Sequence, residues 1–192
     1  MIYYNKRLVG SSGIDSYNKT VAEPWIKLTT SLVATPGNTK YSLGLPDVFE
    51  ITEIITEGTG PGSIDEDFTN SFRLKRNQKD QFYDLSYIEH IPGRPVPNDG
   101  TVLVKVKVFE LQNATGSYYF SVNSYPNTLD RNDIPVHVSD SGSRYNLRDC
   151  LDFRPYCAQD PNASHSNTKA AARSGSATAA VGSIIPTFPA PA

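Results

Sequence analysis

The chain has 192 residues, of which 38% are hydrophobic, and it contains 14 prolines and 13 glycines. An apolar fraction below the roughly 45–50% of ordinary globular domains, with so many turn-forming residues, predicts short strands rather than long helices. A formal net charge of −2 excludes a surface-wide field that would gather nucleic acid or anionic lipid, and no apolar run approaches the about 18 residues of a membrane span.

The N-terminal residues 1–21 mix small and polar types with scattered tyrosines and show neither a helical nor a strand period. They are predicted to form an arm or connector. Residues 22–125 follow as a β-sandwich of about seven strands. The expected strands lie at 25–28, 41–45, 48–56, around Phe72 and Leu74, at 82–91, at 102–109 and at 118–125.

The clearest strand is Val102–Phe109. Its four valines, at alternate positions, share one face, while Lys105 and Lys107 share the other. A strand of a parallel sheet, covered on both faces, would not carry those lysines. The pattern therefore favours a mostly β fold, an antiparallel sandwich of the immunoglobulin or fibronectin type.

Beyond residue 125 the sequence becomes irregular, and residues 126–157 are predicted to pack on the sandwich. Within them only 143–149 has the character of a short helical turn, with Ser143 as its cap. Residues 158–192 are rich in Ala, Ser and Pro. Such a tail cannot bury enough surface to offset its ordering entropy, so it is expected to be disordered or to lie on a neighbour.

No catalytic, cofactor or metal site is predicted. The three histidines, His90, His137 and His165, have no ligand spacing to one another or to a cysteine. The C-terminal aspartates do not follow the spacing of a calcium loop. Cys150 and Cys157 are too few for a disulfide framework and are interpreted as reduced thiols, although a later bridge between them stays open. Cys150 is expected to be a small buried hydrophobe.

An arginine–aspartate motif occupies residues 148–155, with Arg148, Asp149, Asp152, Phe153, Arg154 and Pro155 as its marked positions. Two arginines interleaved with two aspartates in an apolar frame can form bidentate ion pairs. Such pairs fix the geometry of a loop more surely than they stabilise it. The motif is therefore interpreted as a structural lock rather than an active site.

The stretch Tyr145–Pro155, preceded by Asp133-Ile134-Pro135 and by Gln81-Phe82-Tyr83-Asp84, resembles a domain of unknown function in virion structural proteins of tailed bacteriophages, such as cyanobacterial myoviruses. The resemblance covers roughly residues 45–155. It implies a virion component of the tail, baseplate or fibre, made in the host cytoplasm, with no catalytic residues to carry over. Relatives of this type tend to continue further, so the chain is either a short version or a piece of a longer protein.

The implied partners are other virion proteins and copies of the chain itself, with residues 1–20 and 160–192 making intermolecular contacts. Nucleic acid and membranes are not expected as partners. One alternative is a module that binds a host glycan or receptor, with aromatic side chains stacking on sugars. Its candidate contact residues are Tyr83, Tyr87, Tyr118 and Tyr119. A further alternative is a hydrolase, either a depolymerase or a peptidase, that uses aspartate or cysteine chemistry.

Overall fold

Short antiparallel strands are the main secondary structure of the computed structural model. The structure describes residues 18–28, 39–56, 65–97, 102–112, 120–148, 150–154, 164–166 and 169. The strands are β1 (Asn18–Ala22), β2 (Trp25–Leu28), β3 (Lys40–Pro46), β4 (Val48–Thr56), β5 (Phe72–Lys75), β6 (Leu85–His90), β7 (Val102–Gln112), β8 (His137–Val138), β9 (Arg144–Tyr145) and β10 (Ser164–Ser166). Three-residue 3-10 turns lie at Thr69–Ser71, Val122–Ser124 and Arg131–Asp133. The predicted mostly β, antiparallel fold class is confirmed.

Strand β7 is the centre of the main sheet. One of its edges pairs with β4, and the other pairs with β2 and then with β1, all antiparallel. Strand β10 extends this sheet beyond β2. The second sheet has the order β3–β6–β5, and β8 and β9 form a separate two-stranded pair.

The alternation along β7 matches its predicted faces. Val102, Val104, Val106 and Val108 are all buried, and Lys105 and Lys107 are half-buried on the opposite face. That opposite face is not exposed to solvent along its whole length, because Leu103 and Phe109 on it are buried. Leu103 packs with Trp25 and Ile55, so apolar side chains shield that end of the lysine face from solvent.

One apolar core is shared by both sheets. The main sheet contributes Ile26, Leu28, Val48, Ile54 and the four valines of β7, and the second sheet contributes Tyr41, Leu43, Leu45, Phe72 and Ile88. Two sheets that bury their facing side chains in one cluster have the arrangement of a β-sandwich. Its assignment to the immunoglobulin or fibronectin type stays a prediction.

The N-terminal arm was expected to reach residue 21, but residues 18–22 form β1. They pair with β7 over five residues, from Asn18 opposite Gln112 to Ala22 opposite Val108. This strand forms because its backbone pairs with β7, which is distant in the sequence. It could not be predicted because its side chains do not alternate between apolar and polar. Residues 1–17 lie outside the described residues.

Two predicted elements near the C-terminal end of the sandwich are also wrong. In place of a strand through residue 125, Phe120 makes a single bridge to Asp152, and Val122–Ser124 form a 3-10 turn closed by a capping box between Ser121 and Ser124. In place of a helical turn at 143–149, Arg144 and Tyr145 pair with β8. The reason is local, because Gly142, at a φ of 86°, closes a turn that returns the chain to β8.

The predicted tail is partly folded onto the chain itself. Ser164–Ser166 pair with β2, and the Lys169 ammonium forms an ion pair with Asp65. These residues were expected to contact other molecules, and that prediction is wrong for them, because β2 of the same chain offers an edge with which a strand can pair. The other residues of the tail lie outside the described residues. None of the helices in the described part of the chain is long and apolar enough to cross a membrane.

Candidate functional site

The arginine–aspartate motif is anchored on the sandwich by its backbone. Asp152 and Phe120 exchange two backbone hydrogen bonds, with N···O distances of 2.6 and 2.9 Å. Asp152 and Arg154 are buried, whereas Phe153 between them is 54% exposed. This alternation is that of an extended segment, so the two charged side chains point inward together.

Asp152 and Arg154 form the bidentate pair that the sequence predicts. Arg154 Nε donates to Asp152 Oδ1 over 2.9 Å, and Nη2 donates to Oδ2 over 2.6 Å. Burial by itself would raise the pKa of Asp152, but the hydrogen bonds and positive charge of Arg154 outweigh it, and the pKa is lowered. The pKa of Arg154 is raised in turn, because its bonds to Asp152 outweigh its burial. The pair is therefore held in its charged form.

Arg154 also ties the motif to two more distant segments. Its Nη1 lies 3.1 Å from the Lys79 backbone oxygen and 2.8 Å from His137 Nδ1. Because a guanidinium can only donate, Nδ1 must accept, and the ring proton lies on Nε2. Nε2 lies 2.7 Å from Asp80 Oδ1 and donates a hydrogen bond to it. The hydrogen bonds thus select one neutral tautomer of His137.

Tyr83 links this pair to a second one. Its hydroxyl donates to Asp152 Oδ2 and accepts from Arg154 Nη2 over 3.3 Å and from Lys19 Nζ over 3.5 Å. Burial raises the pKa of Tyr83 well above its ordinary value. The side chain is 1% exposed, so its predicted role as a contact aromatic is wrong.

The second pair joins Lys19 of β1 to Asp47, the single residue between β3 and β4. Lys19 Nζ lies 2.7 Å from Asp47 Oδ2, and the two side chains are 0% and 2% exposed. Gln78 Nε2 donates to the other carboxylate oxygen, Oδ1, over 2.7 Å. Burial lowers the pKa of Lys19, but the charge of Asp47 leads the effects that raise it above its ordinary value.

Four aromatic rings surround the Lys19 ammonium. Their centroids lie 4.5 Å (Phe120), 4.7 Å (Tyr83), 4.8 Å (Tyr125) and 5.3 Å (Phe109) from Nζ. Such distances allow cation–π attraction, which is strongest where water is excluded. Lys19, Asp47, Gln78, Tyr83, His137, Asp152 and Arg154 are called here the buried charge network.

The network holds four parts of the chain together: β1, the β3–β4 connection, the segment before β6 and the C-terminal segment, a name used here for the described residues 120–148 and 150–154. Its two carboxylates accept hydrogen bonds from protein donors on both oxygens. A glycosidase needs two carboxyl groups that face a substrate across a cleft, and these face side chains of the chain itself. Among the described residues, no group of three or more His, Cys, Asp or Glu is placed to hold a metal ion.

The remaining predicted residues are not part of the network. Arg148 donates to the Asn132 backbone oxygen over 2.6 Å, and its buried Nε has no hydrogen-bond partner in the described structure. Tyr87 is half-buried, with Lys40 Nζ 5.5 Å from its ring centroid. Cys150 is an exposed free thiol rather than a buried one, because it ends a surface turn in which its N–H donates to the Leu147 oxygen over 3.1 Å. The predictions for Asp149, Pro155, Tyr118, Tyr119 and Cys157 lie outside the described residues.

Sequence reasoning did not predict that Lys19, Asp47, Gln78 and His137 belong to a buried network. Lys19 lies in a polar segment without a period, and a lone lysine there is ordinarily solvated. Asp47 follows Pro46 between two apolar runs, where a turn aspartate is the ordinary interpretation. Only the left-handed backbone of Asp47, with a φ of 55°, marks it as unusual, and that is visible only in the structure.

The exposed large apolar side chains of the described residues all belong to the C-terminal segment. They are Val122, Val138, Tyr145 and Phe153, at 40–54% exposure. The sandwich itself contributes none of them. Comparisons of the chain with known protein families, curated proteins and solved structures found no significant match.

Proposed function

We propose that the chain is a structural protein of a tailed-bacteriophage virion, a component of the tail, baseplate or fibre that acts through protein–protein contacts. The observation that carries the proposal is the buried charge network. It ties Phe120, Asp152 and Arg154 to one another and to the backbone of Lys79, through side chains that face the protein rather than a substrate. The network thus serves to hold a surface in a defined shape.

The surface held in this way carries the apolar side chains that a partner would bury. Tyr145 is 51% exposed and Phe153 is 54% exposed. Large aromatic side chains are enriched at protein interfaces, where a few of them supply most of the binding energy. A rigid segment also costs less ordering entropy on association than a flexible one. These features suit a subunit that packs against copies of itself or other virion proteins.

The glycan-binding alternative has less support. Of its four candidate aromatics, Tyr83 is buried and Tyr87 is half-buried. A sugar-binding platform needs ring faces open to a ligand, which Tyr83 does not provide. The hydrolase alternative would need carboxylates turned toward a groove, and Asp47 and Asp152 are turned inward.

The proposal is tested by immunogold labelling of purified phage particles with an antibody against the chain. Label on the tail, baseplate or fibres is the expected result. A chain that is abundant in the infected-cell lysate and absent from purified particles would contradict the proposal.

The proposed contact surface, which contains Tyr145 and Phe153, is tested by measuring how much of each variant is incorporated into particles. Tyr145→Ser and Phe153→Ser are expected to weaken association by about thirtyfold or more each, since truncation of an interface hot spot costs about 2 kcal/mol or more. Tyr87→Ser, an aromatic truncation on the second sheet, is the matched control and should incorporate normally. Thermal unfolding of the three variants checks that the fold is kept. Equal incorporation of all three would remove this surface from the proposal.

A further inference from the structure

Lys19 and Asp47 form a close ion pair that is shielded from water. The amine nitrogen is 2.7 Å from Asp47 Oδ2, and both side chains are essentially inaccessible to water. The two residues are 28 positions apart in the sequence. We propose that their side chains condense to an intramolecular amide, an isopeptide cross-link between β1 and the β3–β4 connection.

The position of the Asp47 carboxyl is fixed by its backbone. Its φ of 55° places it in the left-handed region, which is sparsely populated by residues other than glycine and is kept only where the surroundings demand it. The Asp47 backbone oxygen accepts a hydrogen bond from the Phe109 N–H of β7 over 3.2 Å. Holding two reactants in this way can supply effective molarities of about 10⁵–10⁸ M, which accelerates their condensation.

The surrounding groups match the needs of the reaction. In the ion pair, the ammonium passes one proton to Asp47 Oδ2, which leaves a neutral amine beside a neutral acid. Nζ then attacks Cγ, the Nζ–Cγ bond forms, and negative charge develops on Oδ1. Gln78 Nε2, 2.7 Å from Oδ1, donates to that charge in the manner of an oxyanion hole.

The leaving group departs as water. The Cγ–Oδ2 bond breaks, and Oδ2 leaves with the proton it already holds and a second one from the nitrogen. The second proton passes directly from Nζ to Oδ2, the two atoms that lie 2.7 Å apart in the ion pair. The sum is one ammonium and one carboxylate converted to one amide and one water, with no oxidant or other reactant.

The environment favours the product over the ion pair. Two charges in an aromatic cage carry a desolvation penalty, and a neutral amide removes both charges. The pKa of Lys19 is raised by Asp47 against its burial, so the reaction starts from the ion pair and the amine becomes nucleophilic only after its proton has passed to Asp47.

The first test is the intact mass of the full 192-residue chain under denaturing conditions. The expected mass is one water below that of the sequence, with a branched peptide joining Lys19 to Asp47 after digestion. A full sequence mass, which is the result for an ordinary buried ion pair, would overturn the proposal. So would a water loss that maps to a succinimide at Asp99-Gly100, since that product gives linear peptides.

Variants separate the chemistry from the fold. Lys19→Arg keeps a positive charge and should show the full sequence mass, and Asp47→Ala should do the same. Gln78→Leu removes the donor to Oδ1 and should slow the water loss after refolding by about 10²–10³-fold, the usual effect of one oxyanion-hole donor. Lys107→Arg, whose ion pair with Glu50 is on the surface, is the control and should lose water as the wild type does. Unchanged kinetics in Gln78→Leu would overturn the assigned role of Gln78.

This inference is independent of the proposed function. The mass measurement needs no partner, and a cross-linked chain that is absent from virions would still be cross-linked.

Discussion

The sandwich core and the buried charge network are two interiors built on different physics. The core is a set of aliphatic and aromatic side chains from both sheets, without a charged member. The network lies where the C-terminal segment meets β1, β7 and the residues before β6, and it contains Lys19, Asp47, Asp152 and Arg154, all nearly inaccessible to water. Apolar burial is non-directional, whereas charged side chains must be paired one by one.

The difference shows what each interior can specify. An apolar core tolerates substitutions that keep its volume. A buried network is satisfied in one arrangement only, and each missing partner leaves another group unpaired. The network therefore fixes where Phe120, His137, Asp152 and Arg154 lie on the sandwich, in a region whose own sequence has little strand or helix period.

The largest expected effect comes from breaking the network while leaving the core intact. Asp152→Ala leaves Arg154 buried without its carboxylate and should lower the free energy of unfolding by about 3–5 kcal/mol. Leu43→Ala, in the core and 0% exposed, is the matched control and should cost about 2–5 kcal/mol. Chemical denaturation measures both. In the double variant Asp152→Ala with Arg154→Met, part of the loss should be recovered, and simple additivity of the two changes would contradict a coupled pair.

A smaller effect is expected in the dependence of folding stability on pH, which should differ between the network and the core. The pKa of Asp152 is lowered in the folded chain, so its contribution to stability is present above the ordinary aspartate pKa of about 3.9 and is lost as pH falls through the folded value. Asp152→Asn should flatten the stability profile in this acidic window. Leu43→Ala should lower the whole profile without changing its slope. Parallel profiles for Asp152→Asn and the wild type would show that Asp152 titrates as in the unfolded chain.

The smallest effect on stability is expected for a partly exposed ion pair of the main sheet. Lys107 and Glu50 face each other on β7 and β4, with Nζ 2.9 Å from Oε2. Because both side chains are partly exposed, Lys107→Ala should change the free energy of unfolding by only about 0.2–1 kcal/mol, and less at high salt. A loss as large as that of Asp152→Ala would mean that burial does not set the difference between these ion pairs.

Most of the sandwich could be predicted because its strands carry their own signal. The valines of β7, the β-branched run of β4 and the apolar residues of β2, β3, β5 and β6 all lie where the pattern predicts strands. The bidentate Asp152–Arg154 pair could also be predicted, since the two residues are close in sequence and chemically matched. Strand β1 could not be predicted, because its partner is β7, about 90 positions away along the chain.

The sequence by itself determined the fold class, since side-chain period and turn residues act locally and are readable one segment at a time. Only the tertiary structure decided that Lys19 meets Asp47 and that Tyr83 is buried between two ion pairs. It also decided that Phe153 is exposed while its neighbours are buried. The physical reason is that the position of a buried charge is set by partners from distant segments, and no local pattern encodes which of them will meet.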